Sequence, residues 1–152
     1  FHPNVCHICK KTDNGTFVTC SMCHMIYYCN KIHKNVHKGE HIQICTYIVY
    51  LLAKYKKLLH SSPLNTNEWL QSRINILKKL RRLLPRELQP YEEQMILFVK
   101  SCRTCHQQVQ LRSCEICQSD YYCNEHKEEF IIEHTREHCR KLMTQFNLDI
   151  TS

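Results

Sequence analysis

CHICKKTDNGTFVTCSMCHMIYYCNKIHKNVHKGEHIQIC, residues 6–45, holds six cysteines and five histidines in forty positions. Cys6 and Cys9 form one Cys-x2-Cys pair, and Cys20 and Cys23 form another. Cys29, His33, His41 and Cys45 follow, separated by three, seven and three residues. A two-residue gap is short for a disulfide but suits a tight turn that points both sulfurs at one metal ion. The same order returns in CRTCHQQVQLRSCEICQSDYYCNEHKEEFIIEHTREHC, residues 102–139, as Cys102, Cys105, Cys114, Cys117, Cys123, His126, His134 and Cys139. Even the local string repeats: Tyr27-Tyr28-Cys29-Asn30 against Tyr121-Tyr122-Cys123-Asn124. Chance does not set eight potential ligands in one order twice, so the two ends are copies of one plan. Eight ligands make two four-coordinate sites, and four structural zinc ions per chain are expected.

Around these modules the 152-residue chain has room for one ordinary domain or two small ones. Zinc held by free thiols implies a reducing, intracellular compartment, nucleus or cytoplasm. No run of 18 apolar residues occurs, so no membrane span is expected. The chain starts at Phe1 rather than a methionine, which leaves room for a targeting segment or further domains outside it.

The ligand order resembles the MYND-type zinc finger: two Cys-x2-Cys pairs, an aromatic before Cys-x3-Cys, then His-x3-Cys. The first module follows it at every position, with His33 where the family usually has a cysteine. The second shifts by one residue after Cys123. The resemblance implies interleaved sites. Cys6, Cys9, Cys29 and His33 would share one ion, and Cys20, Cys23, His41 and Cys45 the next. Cys102, Cys105, Cys123 and His126 would hold the third, and Cys114, Cys117, His134 and Cys139 the fourth. The last ligand is open on spacing alone. His138 lies four residues after His134, on the same face of a helix, and Cys139 lies five after. Ligand chemistry favours Cys139, because thiolate suits a closed structural site and its omission would strand one cysteine. Many relatives carry Gln just after the sixth ligand and Trp four residues beyond, lining a groove for proline-containing peptides. Here Lys34 and Lys38 stand there in the first module, and Lys127 and Ile131 in the second.

The expected fold is therefore small α+β or irregular zinc-stabilised fingers at both ends, residues 1–45 and 101–152, joined by a helical connector, residues 46–100. Ile48, Leu51, Leu52, Tyr55, Leu58 and Leu59 follow helical spacing directly after the first finger. Ser61, Ser62 and Pro63 break that helix. Asn65 with Glu68 resembles a capping box opening a second helix, whose core stripe reads Leu70, Ile74, Leu77, Leu80 and Leu84. Pro85 or Pro90 ends it, and Pro90 opens a third, shorter helix over 91–100. These helices are expected to pack against the fingers and fix their orientation.

The formal charge is +7; twelve thiolates and four divalent ions bring it to +3. The connector, with ten basic and four acidic residues, carries most of the positive charge, while residues 101–152 have six basic and eight acidic. The run Lys78, Lys79, Arg81, Arg82 and Arg86 reads as a solvated helix face rather than a phosphate grip. Other zinc chemistries fit poorly. Only nine residues separate Cys23 from His33, too few for a DNA-reading finger built with His37. His126-Lys127-Glu128 gives half of a deaminase signature, but no Cys-x2-Cys pair follows a proline. His37, and likewise His2, His7, His24, His60 and His106, are read as surface residues. The function that follows is a non-catalytic, intracellular protein–protein interaction module or adaptor, in transcriptional or other regulatory complexes, with peptide segments of other proteins as partners. Weaker alternatives are a nucleic-acid-binding protein using the basic connector and a fragment of a larger enzyme.

Overall fold

The computed structural model describes residues 1–13, 15–55, 64–108 and 110–151. Each finger opens with a two-stranded antiparallel ribbon. β1 (Val18–Thr19) pairs with β2 (Tyr27–Tyr28), and β3 (Arg112–Ser113) with β4 (Tyr121–Tyr122). The registers correspond: Thr19 faces Tyr27, and Ser113 faces Tyr121. The repeated Tyr-Tyr-Cys-Asn string is thus the second strand of each ribbon followed by a candidate ligand. The chain divides into two compact units. One holds the first finger with most of the helical segment. The other holds the second finger with the first turn of the second helix.

In the first unit, helix α1 (Lys31–Lys54) starts inside the finger. Asn30 caps it, its side chain accepting from the His33 N–H at 2.9 Å. The helix therefore carries His33, His41 and Cys45 and runs unbroken into the stripe foreseen after Cys45. Its buried face, His37, His41, Ile44, Cys45, Ile48 and Leu51, sets ligands and apolar residues on one side. Leu58 and Leu59 of that stripe, and the Ser61-Ser62-Pro63 break, lie outside the described residues.

Helix α2 (Thr66–Leu83) opens with the expected capping box. Glu68 N–H donates to Asn65 Oδ1 at 2.8 Å, and Asn65 N–H to Glu68 Oε1 at 3.1 Å. Its inner face differs from the expected leucine stripe. Leu70 and Ile74 are exposed, whereas Trp69, Arg73, Ile76, Leu77, Leu80 and Leu84 are buried. The true stripe steps by four and three from Trp69. Leu70 and Ile74 each sit one residue, about 100°, away from it. Helix α3 (Pro90–Leu97) has Pro90 in its first turn, as read from the sequence.

An ion pair braces this first unit. Glu92 is fully buried, and its two carboxylate oxygens accept from Arg86 at 2.7 and 2.9 Å. Gln89 N–H donates to it at 2.8 Å, and Arg86 Nε reaches Gln43 of α1 at 2.8 Å. Burial would raise the Glu92 pKa, but the Arg86 and Gln89 hydrogen bonds outweigh it and hold the carboxyl below its ordinary range. Arg81 also pairs with Glu93 at 3.2 Å, and the Lys79 ammonium lies 4.2 Å from the centre of the Tyr55 ring.

In the second unit the helix breaks. Residues 124–126 form one 3-10 turn, α4 spans Lys127–Glu133, and α5 spans Arg136–Thr151. Thr135 starts α5, its hydroxyl accepting from the His138 N–H at 3.2 Å. Trp69 stacks on His106 with ring centroids 5.3 Å apart.

Removing Arg86 should leave a buried, uncompensated carboxylate. Arg86→Leu is expected to cost on the order of 3 kcal/mol in urea unfolding at neutral pH with zinc present. Adding Glu92→Gln should recover part of that loss. Equal losses in the single and double variants would show that the buried charge is not the cause.

Candidate metal centres

Four knuckles of identical design present the cysteine pairs. In each, the residue after the second cysteine has positive φ: Lys10 (64°), His24 (56°), His106 (58°) and Gln118 (52°). Its N–H donates to the carbonyl of the first cysteine, at 2.9, 3.0, 2.8 and 2.9 Å in turn. The left-handed residue tightens the turn so that both sulfurs converge. None of the four is a glycine, so each turn is held against a local conformational cost of about 1–2 kcal/mol.

The sulfurs and imidazoles then fall into four groups. Cys6, Cys9, Cys29 and His33 form one; Cys20, Cys23, His41 and Cys45 the next. Cys102, Cys105, Cys123 and His126 form the third; Cys114, Cys117, His134 and Cys139 the fourth. Within each, every candidate ligand atom lies within 4.8 Å of the others. A tetrahedral zinc site requires S···S edges of about 3.8 Å and S···N edges of about 3.6 Å. Cys9–Cys29 and Cys20–Cys45 are at 3.6 Å, Cys105–Cys123 at 3.9 Å and Cys114–Cys139 at 3.8 Å. The histidines approach sulfur at 3.1 Å (His33 to Cys29), 3.4 Å (His41 to Cys23), 3.1 Å (His126 to Cys123) and 3.7 Å (His134 to Cys117). No disulfide joins any of the twelve cysteines. The four clusters fit structural zinc.

The two fingers share a rule for which nitrogen faces the cluster. His33 and His126 turn Nδ1 toward sulfur, whereas His41 and His134 turn Nε2. The electrostatics of the bare clusters also call for a cation. Burial raises the Cys6 thiol, but backbone N–H groups of Cys9, Cys29 and Ile8 outweigh it and bring it to about 6. The same opposition, burial against knuckle N–H groups, brings Cys102 and Cys114 to about 7. Their neighbours move the other way: burial and the adjacent thiols push Cys105 to about 11 and Cys117 to about 12. So many thiolates cannot ionise together at this distance unless a dication sits among them.

His138 stands apart from the fourth group. Its Nε2 accepts from Arg103 Nη1 at 2.9 Å, while Cys139 faces Cys114. The extra residue is absorbed where α4 stops: His134 takes the C-cap position, and Thr135 opens α5. With the helix restarted, spacing of four no longer sets the face.

Three of the histidines read as surface residues, His2, His37 and His106, are instead buried. His37 is buried, within 2.7 Å of the Tyr28 hydroxyl, and its ring lies against His7, Tyr91 and His41. His106 is buried, stacked on Trp69, 3.0 Å from Ser101 Oγ, and His2 is buried, accepting from Asn4 N–H at 3.0 Å. His7 is half-buried and His24 exposed, while His60 lies outside the described residues. In fingers with little aliphatic interior, these flat rings serve as packing units whose polar edges find partners. Asp120 escaped the sequence reading altogether. Its Oδ2 lies 2.9 Å from His134 Nδ1. The signal was its place just before the Tyr-Tyr-Cys string, where the first finger has Ile26.

This geometry predicts the composition of the first coordination shell. Zinc-edge absorption spectroscopy on the loaded chain should return, per ion, an average of about three sulfurs and one nitrogen, with about four ions per chain by elemental analysis. Two or fewer ions in folded protein, or an oxygen ligand at appreciable occupancy, would contradict it.

Among known proteins, the profile of the MYND finger matches residues 6–45, the segment from the first to the last candidate ligand of the first finger. No curated protein and no solved structure is significantly similar to the chain. Residues 6–45 thus match the MYND finger from the first candidate ligand to the last, and the second cluster pair, at Cys102–Cys139, presents its cysteines and histidines in the same order.

Proposed function

We propose that the chain is an intracellular, non-catalytic interaction module that uses its zinc ions to hold surfaces for peptide segments of other proteins. The MYND finger is a zinc-binding protein-interaction module, which supports this class of function. In the proposed assignment, each of the sixteen cluster residues ligates zinc in the four groups given above, with Cys139 rather than His138 as the last ligand. Four protein ligands fill a tetrahedral ion and leave no position for a reactive water, which is the basis for reading the sites as structural. Thiol-rich zinc sites persist where thiols stay reduced, which supports the nucleus or cytoplasm.

The observation that carries the reading is the outer face of α1. Ile32 and Val36 are 70% and 66% exposed and lie one turn apart on the finger's own helix. Gly39 continues their row, and a side chain there would meet nothing within 4 Å. Lys31, Lys38 and exposed Ile42 form the adjacent row. An apolar strip edged by Lys31 and Lys38 on one side and by exposed Glu40 on the other suits a peptide with apolar side chains and an acidic residue on the lysine side. The departure at Lys34 and Lys38 from the Gln and Trp common in relatives points the same way, away from proline-rich ligands.

The nucleic-acid reading loses ground because its basic run is largely committed. Arg86 is spent on Glu92, Arg81 on Glu93, and Lys79 on Tyr55.

The test is binding of labelled acidic–apolar peptides, proline-rich peptides and single-stranded RNA to the zinc-loaded chain. The acidic–apolar peptides should bind, and binding should fall at least about tenfold on chelation or with Val36→Glu, the loss expected when a small apolar contact is replaced by a charge. Binding to RNA alone, with steep salt dependence, would favour the phosphate reading and overturn this one.

A further inference from the structure

The two fingers differ behind one ligand. In the first, His41 presents Nε2 to its cluster, and its Nδ1 is buried with no hydrogen-bond partner. In the second, His134 presents Nε2, and its Nδ1 meets Asp120 Oδ2 at 2.9 Å. Asp120 is itself buried and held on the other side by Arg103, whose Nη1 donates to the same oxygen at 2.8 Å. Its second oxygen accepts from the Tyr121 N–H at 3.1 Å. Arg103 Nη1 also reaches His138 Nε2 at 2.9 Å, and its Nε lies 3.5 Å from Glu133.

The correspondence between fingers is position by position. Cys20 N–H donates to the Ile26 carbonyl at 3.1 Å, and Cys114 N–H to the Asp120 carbonyl at 3.0 Å. His7 N–H donates to the Tyr27 carbonyl at 3.2 Å, and Arg103 N–H to the Tyr121 carbonyl at 2.9 Å. Asp120 therefore replaces Ile26 on an unchanged backbone, and Arg103 replaces His7. The first finger has Ile26 and the His7 ring where the second has a carboxylate and its counter-ion.

We infer that Asp120, anchored by Arg103, is a positioning residue for His134 in the fourth zinc site. The inference rests on the reading of that cluster as a zinc site. A carboxylate on the far nitrogen of a ligating imidazole fixes the proton on Nδ1, leaves the Nε2 lone pair for the ion, and makes that nitrogen a stronger donor. Arg103 aims the carboxylate through its 2.8 Å hydrogen bond and pairs its buried oxygen. The need is local. Helix α1 carries His41 between two flanking turns, whereas His134 takes the C-cap position of the seven-residue α4, with no turn of that helix following it. The three atoms of Asp120, His134 and His138 that approach one another do not form a further metal site, because the Arg103 guanidinium occupies that position.

The test follows histidine ring signals by NMR in the full chain as a chelator is titrated into the zinc-loaded protein. Each ring reports its own ion, so His33, His41 and His126 are internal controls. In the wild type, His134 should carry its proton on Nδ1 and its zinc on Nε2. In Asp120→Asn and Arg103→Gln, the metal-bound His134 signal should vanish at chelator concentrations roughly 10- to 100-fold lower. The His126 signal should stay near its wild-type midpoint. Asp120→Ala should give a larger shift than Asp120→Asn, whose amide keeps the shape. Unchanged His134 release in both Asp120 variants would overturn the proposal. So would equal loss of His126 and His134 in Asp120→Asn, which would make Asp120 a general prop of the unit. If wild-type His134 binds no zinc at saturation while the other three histidines do, the fourth site itself fails, and the proposal with it.

Discussion

Each cluster brings three sulfurs and one imidazole within a few ångströms of one another. That arrangement is stable only with a cation at its centre. Burial pushes the Cys105 thiol up and the neighbouring Cys102 adds to that, while knuckle N–H groups pull Cys102 down. With zinc, the same crowding becomes coordination, and the metal supplies folding free energy that a finger with two-residue strands cannot draw from apolar burial. The knuckles follow from this need. Their positive-φ residues, among them Lys10 and Gln118, carry a backbone cost that only a bound ion offsets.

The helices continue the same logic. In the first unit α1 is both ligand carrier and core element, because His41 and Cys45 fall on the face that buries Ile44 and Ile48. Helix α3 is tied to this arrangement through Tyr91, whose ring lies 4.4 Å from that of His7, and through the Glu92–Arg86–Gln43 chain. The second unit reaches the same coordination plan by a different route. One added residue before the last ligand ends α4 at His134, and a new helix begins after Thr135. The histidine that moved from mid-helix to a helix end is the one with a carboxylate behind it.

The four Cys/His groups were legible because metal coordination demands a fixed order of few residue types, and the order appears twice. The capping box at Asn65 and Glu68, and Pro90 in the first turn of α3, were legible because both are local signals. The buried face of α2 was not: a leucine every third or fourth position fits more than one stripe, and Trp69 and Arg73 mark the one that packing selects. The burial of His37 and His106 was hidden for a related reason, since a histidine outside the ligand pattern carries no mark of its packing role. Asp120 was invisible because a second-layer carboxylate has no spacing rule relative to the imidazole it orients. Only comparison of the two fingers, Ile26 against Asp120, exposes it.

Zinc stands in for the interior of both fingers, and amide hydrogen exchange measured with and without chelator tests that most directly. With zinc bound, amides from His33 to Cys45 and those of the four knuckles should exchange slowly. On chelation, their protection should collapse toward that of an unfolded chain, because the apolar residues left cannot hold these turns. Protection of Cys20–His24 and His41–Cys45 that survives complete removal of zinc would contradict the account, since the fingers would then have an interior of their own.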